Sequence, residues 1–229
     1  MKPLAVIGDS HGFFTTICHG RRYSRGRTNL YKILPTLPCN TVQLGDYGIF
    51  NGEDIKTLRK IKPREGFWDK FFRGNHDNPS LCRKQANCLG DFGILPDYPQ
   101  IMFFAGAEST DVQPDGLWPG RTKGKNWWTD EQLSPEQMDE ALELYSQTKP
   151  EIVLSHDCPT RCWGLLSFGA GFPYWKFAGS RTPDFLDRLL DIHKPRLWFF
   201  GHHHQARGFW VDGVKFRCCD ELEVVPVEL

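Results

Sequence analysis

Short polar segments rich in glycine, aspartate and histidine recur along this 229-residue chain. Aspartate and neutral histidine are good ligands for divalent transition metals, and a bridging carboxylate suits a pair of them. The five segments are Gly8-Asp9-Ser10-His11-Gly12, Gly45-Asp46, Gly74-Asn75-His76-Asp77, Ser155-His156-Asp157 and Gly201-His202-His203-His204. Brought together, they offer enough oxygen and nitrogen ligands for two ions. Two metals about 3.5–4 Å apart can clamp the attacking and leaving oxygens of a phosphoryl displacement.

The spacing inside two segments places ligands on one side of the chain. Asp9 and His11 are two residues apart, so in extended backbone their side chains point the same way. The same reasoning pairs His202 with His204 and directs His203 elsewhere. Glycines beside the ligands let the backbone turn sharply and let a substrate approach closely.

Each segment taken alone has a simpler interpretation. The first could be a capped turn, Gly74-Asn75-His76-Asp77 could be a hairpin turn, and an isolated His156 would more often be a core or surface histidine. The complete ordered set, with every segment directly after an apolar run, favours a single site.

The apolar runs have the length and composition of β-strands, and they cover residues 4–7, 41–44, 67–72, 152–154 and 197–200. The polar segments therefore follow the carboxyl ends of strands, where open α/β sheets bind ligands. Further strands are predicted at residues 101–104 and 223–227, and residues 209–211 and 214–218 read as a hairpin around Asp212-Gly213.

Two helices carry clear start signals. Ser134 is an N-cap with Gln137 as its capping-box partner, and Thr182-Pro183-Asp184 begins a second helix. Strands outnumber helices. We therefore predict one domain over residues 1–229 of mixed α/β (α+β) class, a two-sheet β-sandwich flanked by helices with a dinuclear metal site at the strand ends.

The ordered series of motifs resembles the calcineurin-like metallophosphoesterase superfamily. The residues that carry the resemblance are Asp9-x-His11, Gly45-Asp46, Gly74-Asn75-His76-Asp77, His156 and Gly201-His202-x-His204. The resemblance implies that Asp9, His11, Asp46 and His204 hold the first metal. It implies that Asp46 bridges and that Asn75, His156 and His202 complete the second metal. A metal-bridging hydroxide would then attack phosphorus.

The same resemblance implies roles beside the metals. His76 would stabilise charge or protonate the leaving oxygen, with Asp77 as its orienting partner. Many members carry Gly-Asp-x-x-Asp-Arg, but here Gly45-Asp46 continues as Tyr47-Gly48-Ile49-Phe50. The missing acid and arginine argue against a protein Ser/Thr phosphatase or a diadenosine tetraphosphatase. Arg73 precedes Gly74 and is either a bidentate phosphate contact or a surface arginine at a strand end.

The charge and residue composition narrows the classes of partner and compartment that we expect for this protein. The 28 basic and 28 acidic residues cancel, which disfavours a nucleic-acid surface despite the basic segment at residues 21–27. The sequence has no apolar stretch of membrane-spanning length and no signal-peptide core, so a cytoplasmic protein is expected. Its eight cysteines are then expected to be thiols rather than a zinc knuckle.

The expected reaction is metal-dependent hydrolysis of a phosphodiester or a small phosphomonoester such as a nucleotide. Manganese is the favoured ion, while iron, zinc, cobalt and nickel also suit the mixed ligands. Two alternatives remain, a catalytically silent binding scaffold and a Ser/Thr-phosphatase-like phosphomonoesterase. A nuclease would need a basic groove. Oligomeric state is not predicted.

An aromatic loop lies between His156 and the second helix. Its rings could stack on a nucleobase or form a small satellite core, and the second interpretation is favoured; they are Trp163, Phe168, Phe172, Tyr174 and Trp175. A second aromatic segment covers residues 118–128. Arg161, Lys176 and Arg181 are expected at the surface, and His19 and His193 are expected not to be ligands.

Overall fold

The structure, a computed structural model, describes residues 1–12, 29–109, 112, 121–166 and 180–229, together with the backbone of residues 17–18 and 21–22. The strands in these residues are β1 (Leu4–Ile7), β2 (Ile17–Cys18), β3 (Arg21–Arg22), β4 (Asn40–Gln43), β5 (Asp69–Phe71), β6 (Phe92–Leu95), β7 (Tyr98–Phe104), β8 (Ile152–Ser155), β9 (Leu197–Phe200), β10 (Arg207–Val211), β11 (Val214–Cys218) and β12 (Val224–Pro226). The helices are α1 (Leu30–Ile33), α2 (Gly52–Leu58), α3 (Pro79–Cys82), α4 (Pro135–Thr148) and α5 (Arg181–Ile192), with 3₁₀ turns at Leu34–Thr36 and Thr160–Leu165.

Two main sheets carry the architecture. The first has the order β12-β1-β4-β5, in which β1, β4 and β5 are parallel and β12 is an antiparallel edge. The second has the order β10-β11-β9-β8-β7-β6, with β7, β8, β9 and β11 parallel. Parallel strands place their carboxyl ends at one edge of a sheet, which is why five separate loops can meet there.

Side-chain alternation along the strands separates the layers. Ile152 and Leu154 of β8 pack between the sheets, against residues such as Val42 of β4. Val153 faces the opposite way, toward the cluster that includes Tyr145 of α4 and Leu189 of α5. Successive side chains of β8 point to opposite faces of its sheet and are buried on both. The two sheets therefore share one apolar core between them.

The outer face of the first sheet is covered in the same way. Phe71 of β5 packs with Leu30 of α1, Leu58 of α2 and Cys82 of α3. The result is a helix, sheet, sheet, helix arrangement, which confirms the predicted sandwich flanked by helices. None of the helices within the described residues is long and apolar enough to cross a membrane.

The sequence predicted some helices more accurately than others. Helix α4 begins as predicted, with Ser134 Oγ accepting from Gln137 N at 3.2 Å and Gln137 Oε1 accepting from Ser134 N at 3.0 Å. Helix α5 begins at Arg181, one residue before the predicted start. Helix α2 is absent from the predicted elements, because Ile55 and Leu58 are the only apolar residues in its seven.

Candidate metal centre

The loops that follow β1, β4, β5, β8 and β9 bring the sequence-predicted ligands into one partly buried cluster at the strand ends, the location that the sequence predicted. One ligand atom each from Asp9, His11, Asp46 and His204 lies within 4.8 Å of the others. His204 Nε2 is 2.9 Å from Asp9 Oδ2 and 2.9 Å from His11 Nε2. Two imidazoles and two carboxylates thus converge on one point.

A second group of ligand atoms lies beside the first. Asp46, His156 and His202 again fall within 4.8 Å of one another. His156 Nε2 is 3.1 Å from Asn75 Oδ1, so the amide oxygen joins this group. The rings of His156 and His202 are 5.0 Å apart.

Asp46 belongs to both groups. Its Oδ1 lies 3.3 Å from His156 Nε2, while its Oδ2 lies 3.8 Å from His11 Nδ1. The side chain is only 1% exposed. One carboxylate oxygen therefore faces each group, which is the geometry of a bridging ligand.

Neighbouring hydrogen bonds orient two of these side chains. Leu44 O accepts from His156 Nδ1 at 2.8 Å, so Nε2 is the ring atom that is turned toward Asp46. Asn75 Nδ2 donates to Ser109 Oγ at 3.0 Å, so its oxygen is the atom turned toward His156. Both outer contacts present the atom that a metal would need.

The charges of the cluster also suit cations. Burial raises the pKa of Asp46, but His156, His76 and His11 hold that pKa well below its usual value. Burial lowers the pKa of His156, yet the charges of Asp46 and Asp9 raise it to about 10. The buried carboxylates thus favour positive charge, which divalent ions would supply. Burial lowers the pKa of His202 to about 3, so this ring is the neutral form that coordinates metals.

The mixed donor set fits two transition-metal ions. It contains two carboxylates, one amide oxygen and four imidazoles, a combination suited to ions such as manganese, iron or zinc.

The backbone at the ligands differs from the prediction. His11, Asp46, His202 and His204 have φ values of 44°, 50°, 63° and 50°, all in the left-handed region. The extended-chain argument for pairing Asp9 with His11 and His202 with His204 was therefore wrong, although the side chains do converge. Tight left-handed turns at the strand ends bring them together, and such turns cluster at functional sites.

Two glycines leave the space that the ligands occupy. A Cβ at Gly74 would lie 2.1 Å from Asp46 Oδ1 and 2.5 Å from His156 Nε2. A Cβ at Gly201 would lie 2.1 Å from Asp9 Oδ1. The glycines of these motifs are therefore needed for close approach at the site.

His203 points away from the two ligand groups, as the sequence predicted. Its Nε2 is 3.1 Å from Asp157 Oδ1 and 3.5 Å from Cys158 Sγ. Asp157 Oδ1 also accepts from Cys158 N at 2.7 Å. Burial raises the pKa of the Cys158 thiol well above its usual value, so this third cluster is a hydrogen-bonded pair beside a neutral thiol. The seven cysteines within the described residues are unpaired.

The predicted roles of Arg73 and Asp77 need correction. Arg73 is 1% exposed; its Nε donates to Asp91 Oδ1 at 2.8 Å and its Nη1 donates to Glu131 O. It is therefore a buried structural arginine rather than a surface residue or a phosphate contact.

Asp77 is fully buried and is engaged by main-chain amides. Its carboxylate accepts from the backbone N–H groups of Tyr47, Gly48, Ile49 and Gly74 at 2.6–3.0 Å. It ties the loop after β4 to the loop after β5, instead of orienting His76.

His76 lies at the open edge of the cluster. Its backbone N–H donates to Asp46 Oδ1 at 2.8 Å, and its ring Nε2 is 3.9 Å from Asp46 Oδ2. The side chain is 32% exposed, so it can meet a substrate that enters from solvent.

Other residues near the cluster were not predicted from the sequence. Arg121 Nη2 lies 2.6 Å from His76 Nε2, and Glu221 Oε1 lies 3.7 Å from His204 Nδ1. Ser109 and Glu131 form the buried support behind Asn75. None stands in a recognisable motif, and no local pattern in the sequence indicates them.

The other residues that the sequence singled out divide into two sets. Phe168, Phe172, Tyr174, Trp175, Lys176, Trp118, His19 and most of the basic segment at residues 21–27 lie outside the described residues. Trp163 packs against the large hydrophobic cluster that includes residues of α4 and α5, and not in a separate satellite core. Arg161 pairs with Asp187, Asp191 and Asp212, and His193 Nε2 is 3.1 Å from Pro150 O.

Comparison with known proteins gives the family. The model of the calcineurin-like phosphoesterases matches residues 2–206. The phosphopantetheinyl hydrolase PptH from Mycobacterium tuberculosis is similar in structure, with 15% identity, 96% of this chain and 90% of that chain covered, and a TM-score of 0.47.

A putative 5'-nucleotidase from Staphylococcus aureus, solved in complex with alpha-ketoglutarate, is also similar. It has 10% identity and a TM-score of 0.50, with 98% of this chain and 50% of that chain covered, so the likeness extends to the fold alone. No curated protein sequence matches this chain. Because the family model spans most of the sequence, the chain belongs to the calcineurin-like phosphoesterases and is a phosphoric ester hydrolase.

Proposed function

We propose that this chain hydrolyses a phosphodiester or a small phosphomonoester, such as a nucleotide, at a site that holds two divalent ions. The observation that carries the proposal is the position of Asp46, whose two oxygens face different groups of ligand atoms. In this account Asp9, His11, Asp46 and His204 bind one ion. Asp46, Asn75, His156 and His202 bind the other.

The residues around the ions have separate tasks. Two divalent ions held by these residues would supply Lewis acidity and a water nucleophile at neutral pH. His76 faces the open side of the cluster, where it stabilises or protonates the leaving oxygen. Asp77 holds the loops that carry Asp46 and His76 in register through its four main-chain contacts.

The substrate class follows from what the loop after Asp46 lacks. Residues 47–50 carry neither the second acid nor the arginine that the resemblance associates with protein phosphatases. A small substrate is therefore favoured over a phosphoprotein. A catalytically silent scaffold is disfavoured, because every ligand position and His76 are intact.

We propose manganese as the working ion, since the site combines carboxylate, amide and imidazole ligands. The unpaired state of the seven described cysteines supports a reducing compartment such as the cytoplasm.

The test compares p-nitrophenyl phosphate with bis-p-nitrophenyl phosphate. Metal-stripped protein reconstituted with manganese is assayed on both esters, beside Asp46→Asn and the control Asp212→Asn, an exposed carboxylate that pairs with Arg161. We expect the wild type and Asp212→Asn to hydrolyse at least one ester, and Asp46→Asn to hydrolyse neither. Equal activity in all three proteins would contradict the proposed site. Hydrolysis of phosphopeptides in preference to both esters would contradict the proposed substrate class.

A further inference from the structure

A phosphate ester brings negative charge that the protein has to meet beside the metals. The loop after Asp46 lacks the arginine expected there, and Arg73 is buried against Asp91 and Glu131. Arg121 is a different case, because its partly buried guanidinium lies at the open edge of the metal cluster.

Several contacts hold Arg121 in position, among them a bond from its Nη1 to Asn126 O at 3.5 Å. Its Nη2 lies 2.6 Å from His76 Nε2, and its Nη1 donates to Ser109 Oγ at 3.1 Å. His76 Nε2 is in turn 3.9 Å from the bridging candidate Asp46. The guanidinium is therefore one side chain away from the proposed ions.

Ser109 holds this arginine and a candidate metal ligand at the same time. Its hydroxyl accepts from Arg121 Nη1 and from Asn75 Nδ2, and it donates to Glu131 Oε2 at 2.6 Å. A hydroxyl has one proton and two lone pairs, so these three bonds use its full capacity. Ser109 N also donates to Glu131 Oε1 at 2.7 Å, which fixes the serine in place.

The support beneath Arg121 is rigid. Ser109 is 6% exposed and Glu131 is 4% exposed, and the backbone carbonyl of Glu131 accepts from Arg73. A buried carboxylate held at both oxygens is a precise anchor for a charged side chain. The buried Ser109 and Glu131 therefore hold Arg121 in position relative to Asn75, so its position does not depend on a flexible surface contact alone.

The contact with His76 also fixes a tautomer. A guanidinium has donors only, so His76 Nε2 must accept from Arg121, and the ring proton lies on Nδ1. A phosphoryl oxygen is a stronger acceptor than a neutral imidazole, because it carries charge. When Arg121 turns its Nη2 to such an oxygen, it no longer donates to Nε2 of His76.

We propose that Arg121 forms the phosphoryl-binding subsite of this enzyme, taking the non-bridging anionic oxygens of the substrate and of the phosphate product. The Ser109–Glu131 pair positions it. The subsite rests on the proposed function, since it lies beside the proposed ions, but its own test measures binding and not turnover.

The experiment is calorimetric titration of manganese-loaded protein with inorganic phosphate. Arg121→Gln removes the charge, Arg121→Lys keeps the charge without the planar fork, and Arg188→Gln is the control, an arginine with 60% of its side chain exposed. We expect phosphate affinity to fall about ten- to a hundredfold in Arg121→Gln and by a smaller factor in Arg121→Lys. Arg188→Gln is expected to match the wild type, and manganese content is expected to be unchanged in all of them.

The outcomes separate the two proposals. Equal phosphate affinity in wild type and Arg121→Gln, or no phosphate binding by the wild type, would overturn the subsite. Phosphate binding that depends on Arg121 in a protein that hydrolyses neither ester would support the subsite while the proposed function fails. The Arg121→Lys variant keeps the test decisive if the glutamine variant does not fold.

Discussion

Asp46 Oδ1 lies 3.3 Å from His156 Nε2, while the other oxygen of the same carboxylate faces His11. Asp46 therefore contributes a ligand atom to each group, and neither group is complete without it. Asp46 Oδ1 also accepts the backbone N–H of His76. The residue that would bridge the ions therefore also aligns the loop after β5.

Removal of the Asp46 carboxylate, the proposed bridge, should weaken the binding of both ions and not of one alone. We expect Asp46→Asn to lower affinity for both ions by at least about a hundredfold, because an amide gives one neutral oxygen where two charged oxygens stood. Metal content after dialysis, measured by mass spectrometry, checks this. An Asp46→Asn protein that retains both ions would contradict the bridging role, and Asp212→Asn serves as the matched control.

His76 should affect chemistry more than binding. Its ring lies at the edge of the cluster, outside the ligand groups, so His76→Ala is expected to reduce kcat by about 10²–10⁴ while metal content stays near that of the wild type. His193→Ala is the control, since this ring lies against Pro150 O away from the site. Full activity in His76→Ala would remove the proposed role.

Gly74 tests whether the site depends on close approach. Gly74→Ala would push a methyl group against Asp46 and His156, and no positive φ is involved, so the effect is steric. We expect a loss of about 1–3 kcal/mol in the free energy of unfolding together with weaker metal binding. Gly164→Ala is the matched control, because nothing lies within 4 Å of a Cβ at that position. Wild-type metal affinity in Gly74→Ala would show that the loops adjust freely.

The pair of Arg73 and Asp91 predicts an acid-dependent loss of stability. Burial raises the pKa of Asp91, but the guanidiniums of Arg73 and Arg83 outweigh that effect and hold the pKa below its usual value of 3.8. A carboxyl with a lowered folded pKa stabilises the fold above its unfolded pKa, and that contribution disappears as the pH falls through the folded pKa.

The measurement is urea unfolding of wild type and Asp91→Asn between pH 3 and pH 7. We expect Asp91→Asn to be less stable by about 3 kcal/mol near neutral pH, because it leaves the buried Arg73 without its charge partner. The difference should shrink below about pH 4. A difference that is constant across the range would contradict the assignment, and Asp139→Asn, whose side chain is 74% exposed, is the control.

The sequence predicted the layers and the ligand loops because both depend on local patterns. Apolar runs of strand length followed by glycine and a polar residue place Asp46 and His156 at strand ends whatever the details of packing. The direction of a single side chain is a different matter. Arg73 precedes the Gly74-Asn75-His76-Asp77 motif, yet it points into the protein toward Asp91, 18 residues away along the chain.

Long-range contacts account for the rest. Arg121 meets His76 from 45 residues away, and Ser109 meets Glu131 from 22 residues away. No periodicity or spacing rule links such pairs, because loops from different strands bring them together. The left-handed backbone at His11 and His204 was also beyond the pattern, since a period of two assumes extended chain.

Titration of metal-stripped protein with manganese, with bound metal and phosphoester turnover measured in the same samples, tests whether the protein is a dinuclear hydrolase. We expect each chain to bind two ions and turnover to appear only as the ions bind. Folded protein that binds one ion or none, or that turns over its ester equally well without added metal, would contradict this expectation.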